Sequence, residues 1–133
     1  MGPAARSGTD LKRVRGLGAA HAGVHHWWAQ RVTAAANLLL GIWLVASLLW
    51  LPDFSRAAVV AWVGQPWVAV PLALLVGSAT WHMRLGVQVM LEDYVRDEGL
   101  RRLLLILLDF YAVGVAAVGL FAVLKIAFGA ADA

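Results

Sequence analysis

The sequence has no cysteine, which excludes disulfides, thiolate nucleophiles and zinc or iron–sulfur sites with thiolate ligands from this chain. Charged residues are also scarce, at 14%, whereas 62% of residues are hydrophobic and the mean hydropathy is +0.75. A soluble domain of 133 residues needs a more polar surface than this composition provides. The composition therefore predicts an integral membrane protein, in which any metal ligand is a histidine or a carboxylate.

Three apolar runs are long enough to cross a bilayer core, which takes about 20 helical residues. They cover residues 32–51, 68–90 and 103–128. We therefore expect an all-α membrane protein with three transmembrane helices, which pack with a partner subunit into a helical bundle.

The remaining segments are predicted to lie outside the bilayer core. Residues 1–20 are basic and have no apolar core, so we expect a flexible tail and not a signal peptide. The segment Phe54–Trp67 is interpreted as a connector along the outer interface, not as a fourth span. Residues 21–133 then form a single anchor domain.

Lysine and arginine are concentrated on two of the polar flanks. Before or at the start of the first span are Arg6, Lys12, Arg13, Arg15 and Arg31, and after the second are Arg96, Arg101 and Arg102. The loop after the first span has only Arg56. Positive charge favours the cytoplasmic side, so the N-terminus and the second loop are predicted to face the cytoplasm.

The second span contains a histidine, His82, deep in its apolar run. At about 100° per residue, His82, Gly86, Val89 and Asp93 lie within roughly 40° of one line along the helix. Gly86 leaves space one turn from His82, as the edge of a porphyrin would need. This face therefore combines an imidazole, a gap and a carboxylate.

His82 has two interpretations, an interhelical hydrogen bond or a functional ligand, and the isolated residue does not favour either. Six-coordinate haem b usually takes two imidazoles. His21, His25 and His26 precede the first span, where we expect them at the cytoplasmic surface. If His82 binds haem, the second ligand is therefore expected from another chain.

Two further side chains near the cytoplasmic side have a functional and a simpler interpretation. The guanidinium of Arg31 can bind a carboxylate such as a haem propionate, or extend to the interface as a topology signal. The phenol of Tyr94 can donate to a quinone carbonyl, or belong to the aromatic belt. From the residues alone the simpler interpretation is favoured for both.

Arg84 and Asp109 lie inside apolar spans at similar depth, roughly 10 to 14 Å from the cytoplasmic ends of their helices. An unpaired charge is costly in lipid, so we predict an ion pair between the second and third spans. The alternative is that one of them faces a partner subunit or a water path.

Two motifs resemble the hydrophobic D-type membrane-anchor subunits of succinate dehydrogenase, respiratory complex II. One is His82 with Gly86 and the sequence Glu-Asp-Tyr-Val that ends at Val95; the other is the segment from Gly23 to Ala34, which includes Arg31-Val-Thr33-Ala. The resemblance extends over roughly residues 16–128, including the number and order of spans.

The resemblance implies that His82 is an axial ligand of haem b shared with a C-type cytochrome b anchor subunit, and that Arg31 approaches a haem propionate. It further implies that Tyr94, with Asp93 nearby, helps to bind ubiquinone beside the iron–sulfur subunit. In such a complex a flavoprotein subunit oxidises succinate and passes the electrons to the iron–sulfur subunit. Arg96 departs from the family pattern, in which many members have histidine there.

Two other functions remain open at this stage. One is the anchor of a related fumarate reductase, and the other is a small membrane transporter or adaptor that uses Arg84, Asp109 and His82 as polar contacts. Three spans without an internal repeat argue against a transporter. A bacterial inner membrane is favoured over the mitochondrial inner membrane.

Overall fold

A computed structural model describes residues 21–129, apart from the side chains of His21 and Ala22. Within this range the chain is helical and has no strand; its helices are α1 (His21–Leu49), α2 (Arg56–Val63), α3 (Pro66–Tyr94) and α4 (Glu98–Gly129). Of these, α1, α3 and α4 are long and apolar enough to cross a membrane. The predicted three-span, all-α fold is confirmed, while the predicted tail, residues 1–20, lies outside the described residues.

Helix α1 begins well before its apolar run, at His21 instead of Val32. The prediction that His25 and His26 precede the first helix is therefore wrong. The error has a physical reason: hydropathy detects the part of a helix that needs lipid, whereas backbone hydrogen bonding continues into polar sequence until a breaker intervenes. At its other end α1 finishes at Leu49, because Pro52 lacks the N–H that another turn needs.

The connector between the first two spans contains the short helix α2. Its eight residues are about 12 Å long at 1.5 Å per residue, so α2 is not a span, as predicted. Ser55 caps α2, because its hydroxyl oxygen accepts a hydrogen bond from Ala58 N–H at 3.2 Å. Asp53 accepts hydrogen bonds from the Ser55 side chain, which has the larger effect, and from the Ser55 backbone N–H; both lower the pKa of Asp53. The indole of Trp62 donates to Ser47 Oγ at 3.0 Å, which joins α2 to α1.

Helix α3 is the centre of the bundle, because it packs against both α1 and α4, which do not contact each other within the described range. The α3–α4 contact is close at Gly119, where an added Cβ would lie 2.7 Å from Val76 Cγ1. Small residues permit such close helix approach in membranes. As a result α3 presents His82 towards α1 and Arg84 towards α4.

The bundle buries little of its apolar surface by itself. The buried hydrophobic residues of the described range are Val63, Val68, Ala69, Leu85, Leu108 and Ala112, none of which belongs to α1. Large side chains such as Leu39 and Phe110 are about 70% exposed, at 69% and 74%. This exterior suits contact with lipid and with other membrane chains.

Candidate functional site

His82 contacts α1 through a hydrogen bond to Thr33. Its Nδ1 lies 3.0 Å from Thr33 Oγ1. This contact is the interhelical hydrogen bond that was one of the two sequence interpretations, but it occupies only one of the two ring nitrogens. The ring also lines a cavity, so a structural hydrogen bond and a ligand role are compatible in the same residue.

The cavity lies between α1 and α3 and has a volume of about 980 Å³. That is at the upper end of the range for small-molecule and cofactor sites. Its wall is formed from α1 by Gly23, His26, Trp27, Gln30, Arg31 and Ala34, and from α3 by His82, Gly86, Gln88, Val89 and Glu92. The wall combines apolar surface with polar side chains from both helices, so it suits a large ligand that has both apolar and polar parts.

Gly86 lies on the cavity wall one turn from His82, as predicted. A Cβ added at this position would lie 3.7 Å from Gln30 Nε2, an ordinary contact distance. The glycine is therefore not required by tight packing between α1 and α3. Its effect is to leave space in the cavity one turn from the imidazole.

Arg31 lines the same cavity, and its guanidinium lies 4.5 Å from the centroid of the Trp27 ring. Cation–π contact of this kind restricts the guanidinium without using its N–H donors. Those donors remain suited to an anionic group on a ligand, because a guanidinium presents them in a planar fork. Trp27 itself packs edge to face on Trp28, with ring centroids 5.4 Å apart.

Two polar atoms on the cavity wall are buried without a hydrogen-bond partner among the described residues. They are His26 Nε2 and Gln30 Oε1. A buried polar group left unpaired costs about 1–3 kcal/mol, so native proteins supply a partner. These two atoms therefore indicate that the cavity receives a ligand, water or another chain.

Asp93 and Tyr94 lie in the last turn of α3 and do not line the cavity. Both are exposed, and Tyr94 is 82% exposed. Glu92, not Asp93, is the carboxylate that lines the cavity. That Asp93 lies on the same helical face as His82 stays a prediction.

No group of three or more histidine, aspartate or glutamate side chains converges within residues 21–129 in a way that could hold a bare metal ion. Haem iron makes a smaller demand, because the porphyrin supplies four nitrogens and the protein supplies axial ligands. The imidazole of His82 on the cavity wall fits that demand, and Arg31 on the same wall fits the anionic edge of such a group.

The sequence matches the family model described as the succinate dehydrogenase/fumarate reductase transmembrane subunit over residues 5–116. The chain belongs to this family. It is 30% identical over 105 residues to the succinate dehydrogenase hydrophobic membrane anchor subunit of Rickettsia bellii, an alignment that covers 78% of this chain and 83% of the relative. The same subunit of Paracoccus denitrificans is 30% identical over 122 residues, which cover 92% and 94% of the two chains.

As a succinate dehydrogenase membrane anchor, the chain is part of an oxidoreductase complex and is not catalytic alone. It therefore works with other subunits of that complex and with the bilayer, which agrees with its exposed apolar surface. Family membership also removes the transporter alternative.

The succinate dehydrogenase anchor has a charged pair, Arg84 and Asp109, on the side of α3 opposite His82. Arg84 Nε donates to Asp109 Oδ1 at 2.7 Å, which confirms the predicted ion pair. The Arg84 guanidinium also donates to Gln88 Oε1 at 3.0 Å, and Gln88 Nε2 donates to Glu92 Oε1 at 2.8 Å. This chain of hydrogen bonds connects the mid-helix pair with the cavity wall at Gln88 and Glu92.

Sequence reasoning missed four polar contributors to this anchor subunit's cavity: His26, Gln30, Gln88 and Glu92. A usable signal was present for the first two, since His26, Gln30, Thr33 and Asn37 recur at helical spacing along one face of α1. Hydropathy alone hides this polar face, because the apolar run of α1 starts only after Arg31.

Proposed function

We propose that this chain forms one side of a haem b site between α1 and α3, with His82 as an axial ligand. The observation that carries the proposal is that His82 lines a cavity of about 980 Å³ in which His26 Nε2 and Gln30 Oε1 are buried and unpaired. A histidine of the C-type cytochrome b anchor subunit would hold the haem together with His82. When bound, haem b supplies a one-electron carrier within the membrane.

Arg31 is the residue that we assign to a haem propionate. It lines the same cavity as His82, and stacking on Trp27 leaves its N–H donors available. Charge-assisted hydrogen bonds between guanidinium and carboxylate are about twice as strong as neutral ones. Arg31 would thus orient the cofactor's polar edge towards the cytoplasmic ends of α1 and α3.

Tyr94 and Asp93 are assigned to the ubiquinone site, which lies outside the cavity at the cytoplasmic end of α3. Their exposure leaves both side chains free to contact the iron–sulfur subunit and a quinone bound against it. Ubiquinone becomes ubiquinol by accepting two electrons and two protons. The phenol of Tyr94 donates a hydrogen bond to a quinone carbonyl, and the carboxylate of Asp93 accepts and passes on a proton at the water interface.

The complex that this proposal describes also contains the flavoprotein subunit, which oxidises succinate. The family description covers both succinate dehydrogenase and fumarate reductase, whereas the relatives above carry succinate dehydrogenase names. Those names favour succinate oxidation, with the fumarate reductase anchor as the alternative. Their bacterial origin and the lysine and arginine pattern support a bacterial inner membrane with the N-terminus in the cytoplasm.

The haem assignment is tested by the dithionite-reduced minus oxidised spectrum of the purified complex, in wild type and in His82→Ala. We expect a b-type band in wild type that is lost or strongly reduced in the variant. His26→Ala is the matched control, since His26 is the other imidazole of the same wall. An unchanged band in His82→Ala, or a band lost only in His26→Ala, overturns the assignment of His82.

A further inference from the structure

Three short contacts converge on one hydroxyl oxygen in α1. Thr33 Oγ1 lies 2.7 Å from Ala29 O, 3.2 Å from Gln30 O and 3.0 Å from His82 Nδ1. The two carbonyl oxygens only accept hydrogen bonds, whereas a hydroxyl can donate once and accept twice. The direction of each contact can therefore be worked out from the number of protons available.

The single hydroxyl proton of Thr33 belongs to the contact with Ala29. At 2.7 Å this distance is the most common one for an O–H···O hydrogen bond, while the contact to Gln30 is longer. If the proton pointed to His82 instead, two acceptor oxygens would face each other at 2.7 Å with no proton between them. Thr33 Oγ1 is therefore left as an acceptor towards the imidazole.

An acceptor at this position requires a proton on His82 Nδ1. A neutral imidazole carries one N–H, so Nε2 then keeps its lone pair. The hydroxyl thereby selects one tautomer of the ring and also restricts rotation of the ring about its bond to Cβ. Both effects come from α1, whereas His82 belongs to α3.

We propose that Thr33 is a positioning residue that holds His82 in its Nδ1–H tautomer, with Nε2 as the iron-ligating nitrogen. This inference rests on the proposed haem site. A hydrogen bond that a ligating histidine donates through its other nitrogen fixes the ring and raises its basicity as a ligand. A more basic imidazole favours ferric over ferrous iron, so the Thr33 hydroxyl lowers the midpoint potential of the haem.

The test compares Thr33→Val, which keeps the branched shape and removes the hydroxyl, with Thr33→Ser, which keeps the hydroxyl. Thr80→Val is the matched control, because Thr80 Oγ1 makes the same bond to a carbonyl four residues back, Val76 O, at 2.7 Å and does not contact His82. The measurements on the purified complex are the haem midpoint potential and haem retention during washing in detergent. Succinate oxidation with an artificial dye reports whether each complex has assembled.

We expect Thr33→Val to raise the midpoint potential and to weaken haem retention by about 10-fold to 100-fold, as loss of such a partner does in other metal sites. Thr33→Ser should restore values near those of wild type, and Thr80→Val should not differ from wild type. An unchanged potential in Thr33→Val, or an equal shift in Thr80→Val, overturns the inference. If His82→Ala still loses its haem band in that case, the proposed haem site stands and only the role of Thr33 fails.

Discussion

Arg84 and Asp109 form an ion pair across α3 and α4, with Nε and Oδ1 2.7 Å apart, inside helices that are apolar enough to cross a membrane. The Asp109 side chain is 52% exposed, and that of Arg84 is 25% exposed. The pair is therefore not sealed in a core, and its surroundings are lipid or another chain of the complex. Each charge is stabilised by its partner. Removing one residue should therefore lower the stability of the complex more than removing both.

We expect Arg84→Ala and Asp109→Ala each to lower the thermal midpoint of the purified complex. A lone charge at the centre of a transmembrane helix costs about 2.5–3.5 kcal/mol on insertion scales, and the double variant avoids this cost. The double variant should therefore be more stable than either single variant. Arg102→Ala serves as control, because the exposed pair of Arg102 and Glu98 contributes about 1 kcal/mol or less. Single variants with wild-type stability would contradict the prediction.

The close approach at Gly119 predicts a sharp response to a single methyl group. In Gly119→Ala the new Cβ would lie 2.7 Å from Val76 Cγ1, and overpacking of this kind costs about 1–3 kcal/mol. Adding Val76→Ala should recover much of the loss, because the nearest remaining Val76 atom is the Cβ at 3.8 Å. The measurement is the thermal midpoint of the complex. Gly114→Ala is the control and should be neutral, because a Cβ added at Gly114 would have no atom of another helix within 4 Å. Equal effects at the two glycines would refute this account of the packing.

Arg31→Ala should weaken haem retention by about 10-fold to 100-fold, because a hydrogen bond to a charged group contributes about 1.5–3 kcal/mol. Arg31→Lys should retain part of the binding, since the ammonium keeps the charge but loses the planar fork. The measurement is haem per complex after washing in detergent. Arg56→Ala, at the start of α2, is the control for loss of one arginine elsewhere in the chain. Full haem occupancy in Arg31→Ala would contradict the propionate assignment and leave Arg31 as a topology signal at the membrane interface.

Tyr94→Phe should lower succinate-to-quinone electron transfer by about 2-fold to 10-fold, the effect of one lost hydrogen bond. Succinate oxidation with an artificial dye should be retained, since the dye does not need the quinone site. Tyr111→Phe is the matched control, because Tyr111 is also exposed but lies within α4, away from the end of α3. Equal quinone activity in wild type and Tyr94→Phe would remove Tyr94 from the quinone site.

Particular residues show how far the sequence could predict this molecule. The three spans follow from the length of the apolar runs and the helical rise per residue. The Arg84–Asp109 pair follows from the equal depth of the two residues in antiparallel helices and from the cost of an unpaired charge in lipid. The placement of Gly86 one turn from His82 likewise follows from helical spacing.

His26, Gln30 and Glu92 show where such prediction fails. Hydropathy does not report how far α1 continues into polar sequence, so the histidine at position 26 was placed outside the helix that holds it. The rotation of α3 about its axis determines whether Glu92 or Asp93 meets the cavity, and contacts between helices set that rotation. The Thr33–His82 hydrogen bond joins residues 49 positions apart, and only the packing of α1 on α3 reveals it.

The central claim, that His82 ligates haem iron from the cavity wall, is tested most directly by the low-spin haem signal of a His82→Gly complex with and without added imidazole. The account predicts that the signal is lost or strongly reduced in the variant and returns when imidazole occupies the space left by the side chain. A full low-spin signal in His82→Gly without imidazole would contradict the account.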